Sequence, residues 1–130
     1  DNALNDADII VYCPSNPYLS VAPILEVAGV RERIKLFSGR RVAVSPIVGG
    51  EAIKGPAAKL MAEFGVEPSC VDVAKQYVGL CDLFVIDDVD AGRANDIEAL
   101  GMDVLVCNTI MNSDEDKTEL AGKVLDFALR

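Results

Sequence analysis

The sequence predicts an α/β fold, a Rossmann-like three-layer sandwich with a mainly parallel sheet. Hydrophobic residues make up 51% of the 130 positions and are mainly Val, Ile, Leu and Ala, which is typical of parallel strands covered by helices. Short apolar runs alternate with segments of helical spacing four times. Because crossovers between parallel strands are right-handed, this order predicts helices on both faces of the sheet. No linker or internal repeat interrupts the pattern, so residues 1–130 are expected to form one domain.

Four nearly continuous apolar runs, each bounded by turn residues, predict buried strands. They cover residues 8–13, 42–45, 83–87 and 104–107. Helical spacing predicts helices in the intervening segments, with one extra helix before the third strand. The helices are expected at residues 19–30, 57–64, 70–78, 91–100 and 114–129.

Local chemistry predicts where several of these helices begin and end. Ser20, Ser69 and Ser113 are expected to be N-caps, since a hydroxyl can accept from the unpaired amides of a first helical turn. Pro23 is expected in the first turn of its helix, where a missing N–H does no harm. Gly65 is expected to end the predicted helix over residues 57–64 in a left-handed conformation.

Composition excludes several classes of function. The net charge of −9 argues against a general nucleic-acid or anionic-membrane surface. The chain has no His, which removes the usual general base and the Ser-His and Cys-His nucleophiles. Its four cysteines form no CxxC pair and predict neither a zinc site nor a disulfide framework. They are expected to be reduced and mostly buried in a cytoplasmic protein. The apolar runs are too short to predict a membrane span.

A glycine-rich stretch, residues 45–56, follows the second strand and leads into a helix. Three glycines and Lys54 in such a loop suit an anion, because backbone N–H groups can approach a phosphate where no Cβ intervenes. A tight strand-to-helix connection explains the glycines equally well. The spacing differs from a P-loop, since Lys54 precedes Gly55 and no Ser or Thr follows.

Polar and glycine residues concentrate after the four predicted strands. The carboxyl ends of parallel strands share one edge of a sheet, and ligands of such sheets bind there. The sequence therefore predicts a ligand edge formed by residues 14–17, 45–55, 87–90 and 108–112. The basic residues Lys35, Arg40 and Arg41 lie elsewhere and predict a solvated turn, with a phosphate contact as the alternative.

The motifs in these loops resemble the 2-phospho-L-lactate transferase family, in the C-terminal part of that family's chain. The resemblance covers essentially the whole sequence. It is carried by residues 14–17 with Ser20 and 23–25, 42–50 with 55–57, 84–87 with Asp90, and 109–111. The chain opens without a Met, so it is expected to be the C-terminal portion of a larger transferase.

The resemblance implies a reaction in the biosynthesis of the deazaflavin coenzyme factor 420. The family transfers a phospholactyl or phosphoenolpyruvyl group from a guanosine diphosphate-linked donor to the deazaflavin, releases GMP and requires Mg²⁺. The implied partners are thus small molecules, with no nucleic acid or membrane, and the apolar helix faces favour a homodimer. The 130 residues alone are expected to be inactive, because half of a shared site would be missing.

The resemblance also assigns residues. Ser15 and Asn16 match the first motif, and Ser45, Gly49 and Gly50 the second; these five are expected to contact the donor's phosphates or guanosine. Asp87 and Asp90 match the third motif, which implies magnesium ligation. Capping and turn roles remain open for Ser15 and Asn16, and an N-cap role for Asp88 or Asp90.

Two alternative functions remain open at this stage. The first is a nucleotide-sugar-binding regulatory protein of the gluconeogenesis-factor type, whose equivalent motifs differ from those of this chain. The second is a nucleotide-binding or oligomerisation module without chemistry of its own. GDP binding and turnover with donor and acceptor distinguish these from a transferase.

Overall fold

The structure is a computed structural model that describes residues 2–130 of the chain. The strands are β1 Ile9–Tyr12, β2 Arg40–Val44, β3 Ile47–Val48, β4 Glu51–Ala52, β5 Leu83–Ile86 and β6 Asp103–Val106. Four of them form a parallel sheet in the order β1-β2-β5-β6, and β3 and β4 pair in a separate antiparallel hairpin. The helices are α1 Asn2–Asp6, α2 Ala22–Leu25, α3 Val30–Lys35, α4 Ala57–Glu63, α5 Cys70–Gln76, α6 Ala94–Glu98 and α7 Asp114–Ala128.

The predicted parallel sheet between helices is confirmed, and its two faces are covered unequally. Neighbouring strands follow one another along the chain, so the right-handed crossovers all move in one direction and lie on one face. On that face Ala43, Phe84 and Ile86 pack among residues of α4, α5 and α6. On the opposite face Val42, Val44 and other strand residues pack against α7. An apolar groove of about 470 Å³ remains between α7 and the end of β1.

The predicted caps are confirmed at α5 and α7. Ser69 accepts from the Asp72 amide, and Ser113 forms a capping box with Asp116, so each helix starts where the sequence predicts. Gly65 follows α4 with φ +72°, as expected for a helix end. Pro23 lies in the first turn of α2.

The predicted helix over residues 19–30 is wrong in detail. The segment divides into a π-helical turn, Pro17–Val21, the short α2, and α3 beginning at Val30. Ser20 lies inside the π-helical turn, and Asn16 caps that turn instead. A proline inside the segment and Gly29 at φ +79° explain why no continuous helix forms.

The prediction that Arg41 belongs to a solvated turn is wrong. Arg41 lies at the start of β2, and its guanidinium donates to both carboxylate oxygens of Asp82, at 3.0 and 2.6 Å. It also donates to the backbone carbonyls of Ile34 and Gly79. This hydrogen bonding holds the pKa of the Asp82 carboxyl below its usual value. Arg41 thereby links the amino ends of β2 and β5.

The cysteines match the expectation of mostly buried residues. All four are free, and Cys70, Cys81 and Cys107 are buried, whereas Cys13 is exposed. No helix within residues 2–130 is long and apolar enough to cross a membrane. A homodimer stays a prediction.

Candidate functional site

The loops that follow the sheet strands meet at one edge of the molecule, because the four strands are parallel. After β2 the chain forms the β3–β4 hairpin, and after β5 it forms a 3₁₀ turn, Asp88–Arg93. The hairpin was not predicted; the sequence suggested only an irregular glycine-rich loop. Gly49 and Gly50 form its two-residue turn, with φ of +59° and +84°. Such turns require positive φ at both positions, which glycine adopts without strain.

A hydrogen bond joins the glycine turn to the 3₁₀ turn. The Gly49 N–H donates to Asp90 Oδ2 at 3.0 Å. The Gly50 N–H has no hydrogen-bond partner recorded within residues 2–130. One backbone donor of the turn is therefore used to position the hairpin, and the next remains open to a ligand.

A cavity of about 330 Å³ lies between the hairpin, the 3₁₀ turn and the start of α5. It is built from Gly49, Gly50, Glu67, Pro68, Ser69, Cys70, Val89, Asp90, Gly92 and Arg93. Of the residues predicted from the sequence, the structure thus brings Gly49, Gly50 and Asp90 to one cavity. Ser15, Asn16, Ser45 and Asp87 do not line it.

Ser45 lies beneath the hairpin and is fully buried. Its hydroxyl donates to the Ile47 carbonyl at 2.9 Å and accepts from the Ile47 N–H at 3.2 Å. These two bonds turn the chain from β2 into β3. The structure therefore gives Ser45 a place inside the loop, and its predicted contact with the donor is untested.

Asp87 is also buried and supports two loops. Its Oδ1 accepts from the Val89 N–H, and its Oδ2 accepts from both the N–H and the hydroxyl of Thr109. The N-cap role considered for Asp88 or Asp90 belongs to Asp87, which caps the 3₁₀ turn. Since Thr109 follows β6, this carboxylate joins the loops of two neighbouring strands.

Magnesium ligation by Asp87 and Asp90 stays a prediction, and the two residues fit it differently. Residues 2–130 contain no group of three His, Cys, Asp or Glu side chains that could hold a metal ion. The oxygens of Asp87 accept three hydrogen bonds, so ligation there would require those bonds to be replaced. Asp90 uses only Oδ2, at Gly49, and lines the cavity.

Asn16 lies at the end of the loop after β1, and the two polar atoms of its side chain have different surroundings. Its Oδ1 accepts from the N–H groups of Tyr18 and Leu19, at 2.9 and 3.1 Å. Its Nδ2 is shielded from solvent and has no hydrogen-bond partner among the described residues. Buried polar atoms are normally paired, so this amide nitrogen is a donor available to a further group. The capping role and the binding role predicted for Asn16 are thus compatible.

Ser69, Cys70 and Arg93 line this cavity, although the sequence pattern did not indicate it. Ser69 was predicted as a helix cap, which is correct, and its hydroxyl is used for that purpose. Burial raises the pKa of the Cys70 thiol to about 11, so the thiol stays protonated at neutral pH and is a poor nucleophile. Arg93 comes six residues after Asp87 in a segment read as helical, and only its position after a strand could have indicated a role.

Comparison with known proteins identifies the family. The family model described as 2-phospho-L-lactate transferase CofD matches residues 2–124. The chain belongs to this family. It is 39% identical over 96% of its length to the 2-phospho-L-lactate transferase of Methanocaldococcus jannaschii and 40% identical over 95% to that of Methanosarcina mazei. It is 38% identical over 97% of its length to the phosphoenolpyruvate transferase of Streptomyces griseus.

The chain spans about two fifths of the length of these relatives. The matched part is 39% of the Methanocaldococcus jannaschii protein and 40% of each of the other two. A solved structure with the same fold is that of protein BH3568 from Bacillus halodurans. The structural match covers 95% of this chain and 45% of the BH3568 chain, with a TM-score of 0.61 and 23% sequence identity. At that identity the likeness extends to the fold alone.

Proposed function

We propose that this chain is the donor-binding part of a CofD-type transferase. The complete enzyme would transfer a phospholactyl or phosphoenolpyruvyl group from a guanosine diphosphate-linked donor to a deazaflavin, within the biosynthesis of coenzyme factor 420. The observation that carries the proposal is the match of the CofD family model to residues 2–124, which include every loop at the carboxyl edge of the sheet.

The chemistry proposed for the complete enzyme is a substitution at phosphorus. A ribitol hydroxyl oxygen of the acceptor bonds to the phosphorus that bears the lactyl or enolpyruvyl group. The bond from that phosphorus to the bridging oxygen breaks, GMP leaves with both electrons, and the hydroxyl proton passes to solvent. Such transfers depend on positioning and charge neutralisation rather than on a covalent nucleophile. The absence of His and the protonated Cys70 thiol are consistent with that requirement.

The proposed role of this chain is to hold the donor's phosphates with uncharged donors. The Gly50 N–H and the Asn16 Nδ2 lack partners among residues 2–130, and both follow sheet strands at the carboxyl edge. Ser15 is proposed to act beside Asn16, and Gly49 beside Gly50. Ser45 and Asp87 are proposed to support these donors by fixing the loops. A phosphate oxygen held by such donors keeps its orientation when charge shifts during transfer.

Mg²⁺ is proposed to be held by Asp90 together with donor phosphates, since Asp90 has one carboxylate oxygen without a partner in the described part of the chain. When bound, the ion would neutralise charge on the phosphates. Asp87 is a weaker candidate ligand because its oxygens are already engaged.

GDP titration by calorimetry tests the binding role, and a turnover assay tests the chemistry. The 130-residue chain is expected to bind GDP. It is expected to release no GMP when supplied with the deazaflavin and either donor, because the chain spans only 39% of its relative. Both donors are needed in the assay, since relatives named for each are nearly equally similar. Absence of GDP binding would contradict the proposed binding role, and turnover by the 130 residues would contradict the expectation of an incomplete site.

A further inference from the structure

The cavity beside the glycine turn has an electrostatic feature that the matched motifs do not include. The carboxylates of Glu67 and Asp90 line the cavity. Among the described residues that line it, Arg93 has the one cationic side chain. In a chain of net charge −9, an anion in this cavity would meet a repulsive field without a local cation. Arg93 is placed to supply that cation.

The Arg93 guanidinium is only partly engaged. Its Nε donates to Asp96 Oδ2 at 3.1 Å, and no hydrogen bond is recorded for its two terminal nitrogens within residues 2–130. The side chain is 43% exposed and its partner Asp96 is 58% exposed, so the ion pair lies in solvent and holds the arginine weakly. The planar end of the side chain is therefore free to take a second, bidentate partner.

The hairpin backbone that lines the same cavity complements this arginine. Gly50 has φ +84°, and its N–H has no recorded partner in the described chain. A Cβ at Gly50 would lie 3.5 Å from the Pro68 carbonyl oxygen, on the wall of the same cavity. That distance is an ordinary van der Waals contact, so the positive φ of Gly50, and not a lack of space, calls for glycine at this position.

We infer that Arg93 binds the diphosphate of the nucleotide donor, in the cavity that Gly50 also lines. This assignment rests on the proposed function and adds to it a residue outside the motifs. Arginine suits the role because its fork matches two phosphate oxygens, and its charge offsets Glu67 and Asp90.

The test is titration of GDP and of guanosine into the 130-residue chain and three variants. Arg93→Gln removes the charge and the fork, and Arg93→Lys keeps only the charge. Arg31→Gln is the matched control, because Arg31 also forms one ion pair, with Glu26 at 3.0 Å, and does not line this cavity. Thermal melts establish that each variant is folded.

We expect Arg93→Gln to weaken GDP binding about tenfold or more, which corresponds to losing charge-assisted hydrogen bonds. Arg93→Lys is expected to recover part of the loss, and Arg31→Gln and guanosine binding to change little. Equal GDP affinity in Arg93→Gln and the unaltered chain would overturn the inference and leave the proposed function standing. Equal losses in Arg93→Gln and Arg31→Gln, or an equal loss for guanosine, would also overturn it. If the unaltered chain binds no GDP, the proposed binding role fails first.

Discussion

The proposed role of Asn16 can be tested with variants that affect its Oδ1 and Nδ2 atoms differently. Its Oδ1 caps the π-helical turn through Tyr18 and Leu19, whereas its Nδ2 has no partner among the described residues. Asn16→Asp keeps an oxygen at the capping position and replaces the amide nitrogen with a second oxygen. Asn16→Ala removes both atoms. The pair of variants therefore distinguishes a residue that only turns the chain from one that also donates to a ligand.

The magnitudes follow from the hydrogen bonds. Loss of an N-cap costs about 1 kcal/mol, so Asn16→Ala is expected to lower the melting temperature by about 3–5 °C in a domain of this size. Asn16→Asp keeps the capping oxygen but places an unpaired carboxylate oxygen where the shielded Nδ2 lies, so it should also melt below the unaltered chain. A hydrogen bond to a charged phosphate contributes about 1.5–3 kcal/mol, so loss of the Nδ2 donor should weaken GDP binding about tenfold to a hundredfold. Both variants lose that donor.

The assay combines thermal melts with GDP titration at fixed ionic strength. The decisive variant is Asn16→Asp, which is expected to stay folded and to bind GDP poorly. If it is stable and binds GDP with unchanged affinity, Asn16 acts only as a cap, and the unpaired Nδ2 has no part in nucleotide binding.

Two further substitutions test the fold and the glycine turn. Asp82→Asn should lower the free energy of unfolding by about 2 kcal/mol at pH 7, because Arg41 loses a charged partner. Since Arg41 lowers the pKa of the folded Asp82, its stabilisation is full above the unfolded value of about 3.9 and is lost as the pH falls through the folded pKa. Urea unfolding should therefore show the difference between Asp82→Asn and the unaltered chain shrinking below about pH 4; a constant difference would argue against the pair. Gly50→Val should destabilise the chain by about 1–2 kcal/mol through its φ of +84° and weaken GDP binding, and unchanged urea midpoints with unchanged affinity would refute both expectations.

The sheet was predictable because its signals are local. The observed β5 and β6 lie within the apolar runs predicted at residues 83–87 and 104–107, apart from Asp103. All four residues of β5 are buried, and the last three of β6 are half-buried, so both runs are apolar and the pattern is unambiguous. The caps of α5 and α7 were predictable because they too are local. Each is a hydrogen bond from a backbone amide to the side chain of a serine only three residues earlier.

The hairpin and the Arg41–Asp82 pair were missed for different reasons. Strands β3 and β4 have two residues each, too few to show alternation, although Gly49-Gly50 is a known signal for a hairpin turn. Arg41 and Asp82 are 41 residues apart and meet only because β2 and β5 are neighbours in the sheet. The sequence indicated four strands without their order, and such a pair depends on that order.

The candidate site shows why residue type alone assigns roles poorly at the edge of a sheet. Ser45 and Asp87 are the polar residues that a sequence most readily offers to a phosphate or a metal, yet both are buried and bonded to loop backbone. Loops that leave a sheet contain unpaired amides, and nearby oxygens are needed to satisfy them. The donors left over are the Gly50 N–H and the Asn16 Nδ2, which are uncharged. An acidic chain that binds a diphosphate through such donors gains its affinity at short range, where a single arginine has more effect than the net charge of the whole surface.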